Sequence, residues 1–478
     1  ERLYIFYSVS SGSGEGMYPS AIVAETRKAL GGVEEKQAGP AVDASGLEGE
    51  RQAFETLSAR WTEEDDFTSG LYGWFSEQTA YRASMEAIGR IYEGSPGEFS
   101  SPDPAIRLFG KDLYLSPSRV EKYHQCPFAY FCQYGMKARP RRPAKIDALE
   151  YGTLIHYLLE NLLNAYSREE FISLTRAQLR KKVKELLQSY LETKLGGWED
   201  KPERFRYLYR RFETTAVALA THLAAELGQS KFEPEDFELE IGKDVRALEL
   251  QLPSGGIISV HGKIDRVDVM KSRGRSYVRV VDYKTGAKQF RLSDILYGLN
   301  VQMLLYLVTL WKNGSSRYGE VVPAGVLYMP AKNPQIEGIR GESEESAQLR
   351  KEAELKMSGL VLDDPAVIEG MEANVQGFYI PVKYKKDGKP DQYAQLASLS
   401  QMGEIGRHLE RLLTQMGEQL HRGKIPPVPV EEACDYCDYS SVCGREEGWQ
   451  VKEIVSMKNK EVFEQMEKAD GEEDDRGK

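Results

Sequence analysis

At 478 residues the chain exceeds what one hydrophobic core usually organises, so two or three domains are expected. Hydrophobic residues make up 41% and charged residues 29%, and no apolar run approaches the roughly 20 residues that span a bilayer, which excludes a helical membrane protein. The formal charge of −11 excludes a uniformly basic nucleic-acid binder, although much of the acid lies in Glu461–Lys478, which reads as a solvated tail.

The chain opens on Glu1 and enters a strand-like stretch, Leu3–Ser8, almost at once, as if partway through a domain. Residues 1–112 alternate strand-like pieces, Gly/Ser-rich turns such as Ser10–Gly16, and helical stretches such as Tyr81–Tyr92. No phosphate-cradling GxxxxGK[ST] loop occurs in the chain, so an ATPase has no support in it. Glu93–Pro104, rich in Pro, Gly and Ser, marks a boundary. Beyond it, Ser118-Arg-Val-Glu121 has the pattern of a capping box that opens an aromatic helix running to about Tyr134. Helical spacing continues over 147–166, 168–195 and 203–228. In the last of these, Arg204, Arg206, Arg210 and Arg211 interleave with Phe205, Tyr207, Tyr209 and Phe212, which suits amphipathic packing better than strand binding.

From Phe237 the period changes to alternation, predicting strands over Phe237–Ile241, Arg246–Leu252, Ile257–Met270 and Ser276–Tyr283. A helix over 293–312 and a strand over Val321–Met329 complete an α/β unit. Residues 331–375 read as a charged, largely helical insertion, followed by a strand over Phe378–Lys386 and a helix over 393–422.

Asp265 and Asp282 fall on neighbouring strands of a predicted hairpin, and strand period two puts Lys284 on the same face as Asp282. Two close carboxylates repel unless a cation lies between them, and a hard divalent ion such as Mg²⁺ is the natural occupant. Such an ion activates water and polarises a phosphoryl oxygen, while a neighbouring lysine orients the water and offsets transition-state charge, the chemistry of phosphodiester cleavage. On the helix Tyr151–Glu160, Gly152, His156 and Glu160 share one face, so His156 is placed to complete a metal shell and Gly152 to admit a close backbone. Gln302 and Tyr306, spaced i, i+4, suit either support of that site or packing.

Lys137, Arg139, Arg141, Arg142 and Lys145 form the densest basic strip, held extended by two prolines, and read either as phosphate contacts at the site's mouth or as a solvated linker. Five cysteines in a large chain with no export signal in view point to metal rather than disulfides. Cys434, Cys437 and Cys443 form a C-x₂-C-x₅-C group 308 residues after Cys126, and four thiolates serve either an iron–sulfur cluster or zinc. A staple closing so long a loop contributes on the order of 5 kcal/mol. Cys132 reads as a core cysteine.

The order Gly152-x₃-His156, Gly262-x₂-Asp265-Arg-x-Asp268, Asp282-Tyr-Lys-Thr-Gly286 and Gln302-x₃-Tyr306 resembles the RecB-type branch of the PD-(D/E)XK nucleases. The resemblance implies an α/β, restriction-endonuclease-like fold, a mixed sheet flanked by helices. It implies His156, Asp265, Asp282 and the Tyr283 carbonyl as ligands of Mg²⁺, with Mn²⁺ or Ca²⁺ as other occupants. Lys284 would be the catalytic lysine and Gln302 with Tyr306 an accessory catalytic pair, whereas Glu160 matches less closely.

With the cysteines, Tyr114-Leu-Ser-Pro-Ser118 and Lys424-Ile-Pro-Pro-Val428 included, the chain resembles over most of its length the AddB (RexB-like) subunits of bacterial AddAB-type helicase–nucleases. That likeness implies a [4Fe–4S] cluster on Cys126, Cys434, Cys437 and Cys443. Residues 1–112 would end a helicase-like α/β domain, 113–450 would form the nuclease domain, and 451–478 an acidic, largely disordered tail. A larger N-terminal helicase-like region would then lie outside this sequence. The likeness further implies a heterodimer with an AddA-type helicase–nuclease in the bacterial cytoplasm, processing double-stranded DNA ends for recombinational repair, with this nuclease cutting the 5′-ended strand. From the residues alone, a non-catalytic iron–sulfur DNA-end scaffold and a zinc-stabilised interaction domain are the competing readings.

Overall fold

The computed structural model describes residues 5–8, 17–31, 44, 47–92, 97–139, 148–199, 201–286, 290–332, 342–443 and 450–476. They fall into two compact units, 1–95 and 96–478, divided within the Pro/Gly/Ser-rich stretch.

The first unit holds helices α1 (Ala21–Leu30), α2 (Glu50–Ala59), α3 (Asp66–Glu77) and α4 (Arg82–Tyr92). Leu57, Phe75 and Met85 form its small core, with Phe54 and Tyr81 packed edge-on around Phe75. Among the described residues it has no strand, which corrects the expected α/β alternation. The apolar pairs Phe54/Leu57 and Leu71/Phe75 recur at three and four residues, a helical spacing. Ile5–Ser8 has no regular structure, and Ser10–Gly16 lies outside the described residues.

In the second unit, α5 (Pro102–Phe109) and strand β1 (Leu113–Leu115) precede α6 (Pro117–Gln125) and α7 (Pro127–Tyr130). The α6 cap is Ser116, whose side chain accepts from the Arg119 N–H, with Pro117 in the first helical position; this is two residues before the expected cap. Nor does the helix run unbroken. Pro127 biases the residue before it away from helical backbone, and Cys126 is extended at φ −164°, ψ 114°.

Helices α8 (Ala148–Asn164), α9 (Arg168–Ser173), α10 (Arg176–Lys194) and α11 (Glu203–Gln229) form one layer. Capping boxes at Ser167 and Thr175 split the expected 168–195 helix in two. On α11, Phe205, Tyr209 and Phe212 are buried while Arg204, Arg210 and Arg211 face solvent, so amphipathic packing accounts for this helix.

The layer covers a six-stranded mixed sheet. Its strands come from β2 (Glu233–Ile241), then, after β3 (Leu248–Gln251) and β4 (Ile257–Val260), from β5 (Gly262–Ser272), β6 (Arg275–Lys284), β7 (Val321–Pro330), β8 (Ser358–Leu362) and β9 (Leu396–Ala397). The order is β2-β5-β6-β7-β8-β9, and β1, β4 and β3 form a separate small sheet. The single strand expected over Ile257–Met270 is therefore two, switching sheets at His261. Helices α12 (Gln302–Asn313) and α13 (Ser315–Tyr318) make the crossover from β6 to its parallel neighbour β7.

Two further expectations are corrected beyond β7. Residues 331–375 hold α14 (Glu344–Ala353) and α15 (Pro365–Met371), but the apolar run between them is β8, paired to β7, so the segment extends the sheet rather than decorating it. Phe378–Lys386 is not a strand: the buried Glu372 carboxylate accepts the N–H groups of Phe378, Tyr379 and Ile380, and Pro381 has none to give a ladder. After α16 (Leu399–His421) and the short α17 (Ser440–Cys443), the expected disordered tail is helix α18 (Asn459–Arg476). Val462, Phe463 and Met466 are buried in the main core, an apolar stripe that the acidic composition hides. No helix among the described residues is long and apolar enough to cross a membrane.

Behind β5 and β6 lies a charged core. Arg266, Asp268, Arg279 and, from α11, Glu226 are each at most 1% exposed. Arg266 Nε is 2.8 Å from Asp268 Oδ1, Arg279 Nε donates to Asp268 Oδ2 at 2.8 Å, and Arg279 Nη2 donates to Glu226 Oε1 at 2.7 Å. Two cations and two anions cancel, which is what permits burial. Arg279→Met leaves two buried carboxylates sharing one cation. It should cost about 3–5 kcal/mol, read as a lower urea midpoint with an unchanged m value.

Candidate functional site

β2, β5 and β6 run antiparallel, with Phe237 opposite Arg266, Leu239 opposite Ile264, and Arg266 opposite Val281. That register sets Glu238 level with Asp265, and Asp265 level with Asp282. Three carboxylates therefore line up across three strands, on the face opposite the charged core. Glu238 has φ 52°, a left-handed conformation that costs a non-glycine residue of order 1–3 kcal/mol and recurs at functional sites.

His156 reaches this row from α8. Its Nδ1 is 3.4 Å from Asp265 Oδ1 and 3.8 Å from Glu238 Oε1, and its Nε2 lies 3.2 Å from the Tyr283 carbonyl oxygen. Among the described residues, His156, Glu238 and Asp265 offer ligand atoms all within 4.8 Å of one another, close enough to share one metal ion. Asp265 also accepts the Tyr283 N–H at 3.1 Å. Asp282 is buried and turned toward Lys284, whose Nζ is 2.7 Å from its Oδ2. Burial, and then the charge of Asp265, push the Asp282 carboxyl above its ordinary range against the pull of Lys284. Burial alone would lower His156, but hydrogen bonds and charge from Asp265 and Glu238 raise it to about 10.

Tyr306 stands over the row from α12, bonded through its hydroxyl to Gln302 and to the Lys263 backbone and sensing the charges of Asp265 and Asp282. Gly262 makes room for it: a Cβ there would come within 2.5 Å of the Tyr306 hydroxyl. The close approach expected at Gly152 is thus found at Gly262 instead, since a Cβ on Gly152 would meet nothing nearer than Thr285 Oγ1 at 3.9 Å. Glu160 borders the group, raised by burial and by the charge of Glu238. Glu238 escaped the sequence reading, having no motif around it. Of the basic strip, Lys137 and Arg139 are exposed, and Arg141, Arg142 and Lys145 lie outside the described residues.

The cysteines meet elsewhere in the unit. Cys126, Cys434, Cys437 and Cys443 line one cavity of about 90 Å³, with Phe128, Ala129, Pro427 and Pro429. Val430 N–H donates to Gln125 O at 2.8 Å and Tyr439 hydroxyl to Ala138 O at 3.0 Å, joining the two distant segments. Burial raises the thiols of Cys126 and Cys132. Cys132 is buried against Ala129 and Tyr439 at the cavity's back, a core position as the sequence suggested.

This sheet, helix layer and acid row belong with a known architecture. Residues 114–444 match the PD-(D/E)XK nuclease superfamily, and the chain is a member of it. Over its length it is similar to proteins named as the B subunit of an ATP-dependent helicase/deoxyribonuclease. The relative from Clostridium novyi (strain NT) is 29% identical over 98% of this chain and 44% of its own length. That from Ruminiclostridium cellulolyticum is 31% identical over 92% of this chain and 40% of its own, and that from Thermoanaerobacter sp. (strain X514) 29% over 83% and 36%. The chain thus spans less than half the length of these relatives.

The raised His156 has a consequence for metal-free protein. A folded value of about 10 against 6.5 unfolded means its stabilisation is complete below about pH 6.5 and is lost as pH rises to about 10. In chelator, the melting temperature of wild type should exceed that of His156→Gln most below pH 6.5, the gap closing toward pH 10.

Proposed function

We propose that this chain is the nuclease module of a bacterial helicase–nuclease, hydrolysing DNA phosphodiesters with Mg²⁺. The observation that carries the reading is the row Glu238, Asp265 and Asp282 with Lys284 beside it and His156 above it. His156, Asp265, Asp282 and the Tyr283 carbonyl would hold the ion, and Glu238, within reach of His156, is a further candidate. A divalent cation there, when bound, lowers the pKa of a water and polarises a phosphoryl oxygen.

The chain's own groups supply the rest. His156 gives up its proton to become a ligand, so ion and proton compete for one place among the acids. Lys284, released from Asp282, orients the attacking water and offsets charge on the phosphoryl oxygens. Tyr306, fixed by Gln302, holds the β5 end that carries Asp265. In the intact protein, Asp282→Asn should lower DNA cleavage by at least about 10²–10³-fold at unchanged melting temperature; undiminished cleavage of both strands would place the chemistry elsewhere.

We read the cysteine cavity as the seat of a [4Fe–4S] cluster on Cys126, Cys434, Cys437 and Cys443. The cavity of about 90 Å³ exceeds the 10–15 Å³ that a single water-sized probe fills. Thiolates around one zinc lie only about 3.8 Å apart, from Zn–S bonds of about 2.3 Å; these sulfurs are spread more widely. The cluster would brace the domain rather than react. Cys437→Ser should lose iron and the brown absorbance together and lower the melting temperature. A colourless, anaerobically purified wild type carrying zinc would overturn this.

The relatives' name supports a partner helicase–nuclease subunit of the AddA type, DNA ends as substrate and a cytoplasmic setting. Residues 1–112 would close a helicase-like domain and 113–450 form the nuclease domain. The 5′-ended strand as substrate is the part of this reading that rests on family likeness alone.

A further inference from the structure

We infer that the open-sided pocket beyond Lys284 seats the nucleotide next to the scissile phosphate of single-stranded DNA, an inference resting on the nuclease reading above. The pocket holds about 410 Å³, within the range of ligand sites. Three lysines, Lys284, Lys332 and Lys356, line it against one acid, Glu354, and Phe290, Tyr328 and Met357 form its apolar wall. Cations beside an aromatic wall match the two halves of a nucleotide, phosphate and base.

Lys284 joins the pocket to the acid row. Its Nζ is 2.7 Å from Asp282 Oδ2 and 5.6 Å from the Tyr328 ring centroid, and Tyr328 pairs with Asp282 in the β6–β7 register. A substrate phosphate at the row therefore has its neighbouring nucleotide at this opening. The Tyr328 hydroxyl, on a side chain 2% exposed, has no hydrogen-bond partner among the described residues. A buried hydroxyl left so is costly, and a polar ligand atom at the wall would satisfy it. Single-stranded DNA fits because a nucleotide enters a concave site only when it leaves its stack.

Lys332 and Lys356 are partly exposed and stand outside the acid row, so their removal tests binding without touching the chemistry. In the intact protein acting on oligo(dT), Lys332→Ala with Lys356→Ala should raise KM about tenfold at unchanged kcat and melting temperature. The slope of log KM against log salt should shrink by roughly 1.4, about 0.7 for each single-strand phosphate no longer neutralised. Replacing both by arginine should restore most of KM. Unaltered KM and salt slope in an active enzyme, or a fall in kcat alone, overturns the pocket and leaves the nuclease reading standing. Wild type that cleaves no DNA overturns both.

Discussion

The structure turns on the four buried charges behind β5 and β6. Arg266 and Asp268 on one strand and Arg279 on the next are clamped to Glu226 of α11, and each is useful only if all four are in register. A one-residue slip between the strands would turn every side chain to the other face, stranding guanidinium and carboxylate groups in a dry core. The cluster therefore acts as a registry pin. Because side chains alternate, pinning Arg266 and Asp268 inward fixes Asp265 outward, and fixing Arg279 inward sets Asp282 outward. The acid row is the reverse side of the charged core.

That row is held in a poised state. Three carboxylates side by side would repel one another; here a histidinium and an ammonium divide them, His156 among Glu238 and Asp265, Lys284 against Asp282. Both cations are on groups able to leave or neutralise, one by losing a proton and the other by swinging a flexible stem. An incoming dication meets anionic ligands already gathered, with their repulsion compensated beforehand rather than by rearranging the sheet.

Much of this was readable from spacing alone. Asp265, Asp282, Lys284 and His156 announce themselves because period two and period 3.6 place them within short motifs, and the strands that carry them alternate cleanly. Glu238 could not be read, since its position depends on long-range pairing of β2 and on a positive φ that no local pattern demands. β8 was hidden because five residues inside a charged segment carry little periodic signal, and the false strand at 378–386 failed because Glu372 claims its N–H groups. The break at Cys126 was written in the sequence as Pro127, yet its purpose shows only where the cysteine meets its distant companions.

The joint between Gln125 and Val430 also sets a timetable. The partners of the α6–α7 corner, Val430, Tyr439 and the cysteine triplet, are translated some 300 residues after it. At 5–20 residues per second this is roughly 15 to 60 s of synthesis. Throughout that interval the Cys126 thiol and the rings of Phe128 and Phe131 lack the segment that covers them. A nascent chain of this kind exposes an oxidisable sulfur set in an apolar collar until almost its last residues emerge, which makes the ribosome-bound stage, rather than the finished fold, the most vulnerable point in its life.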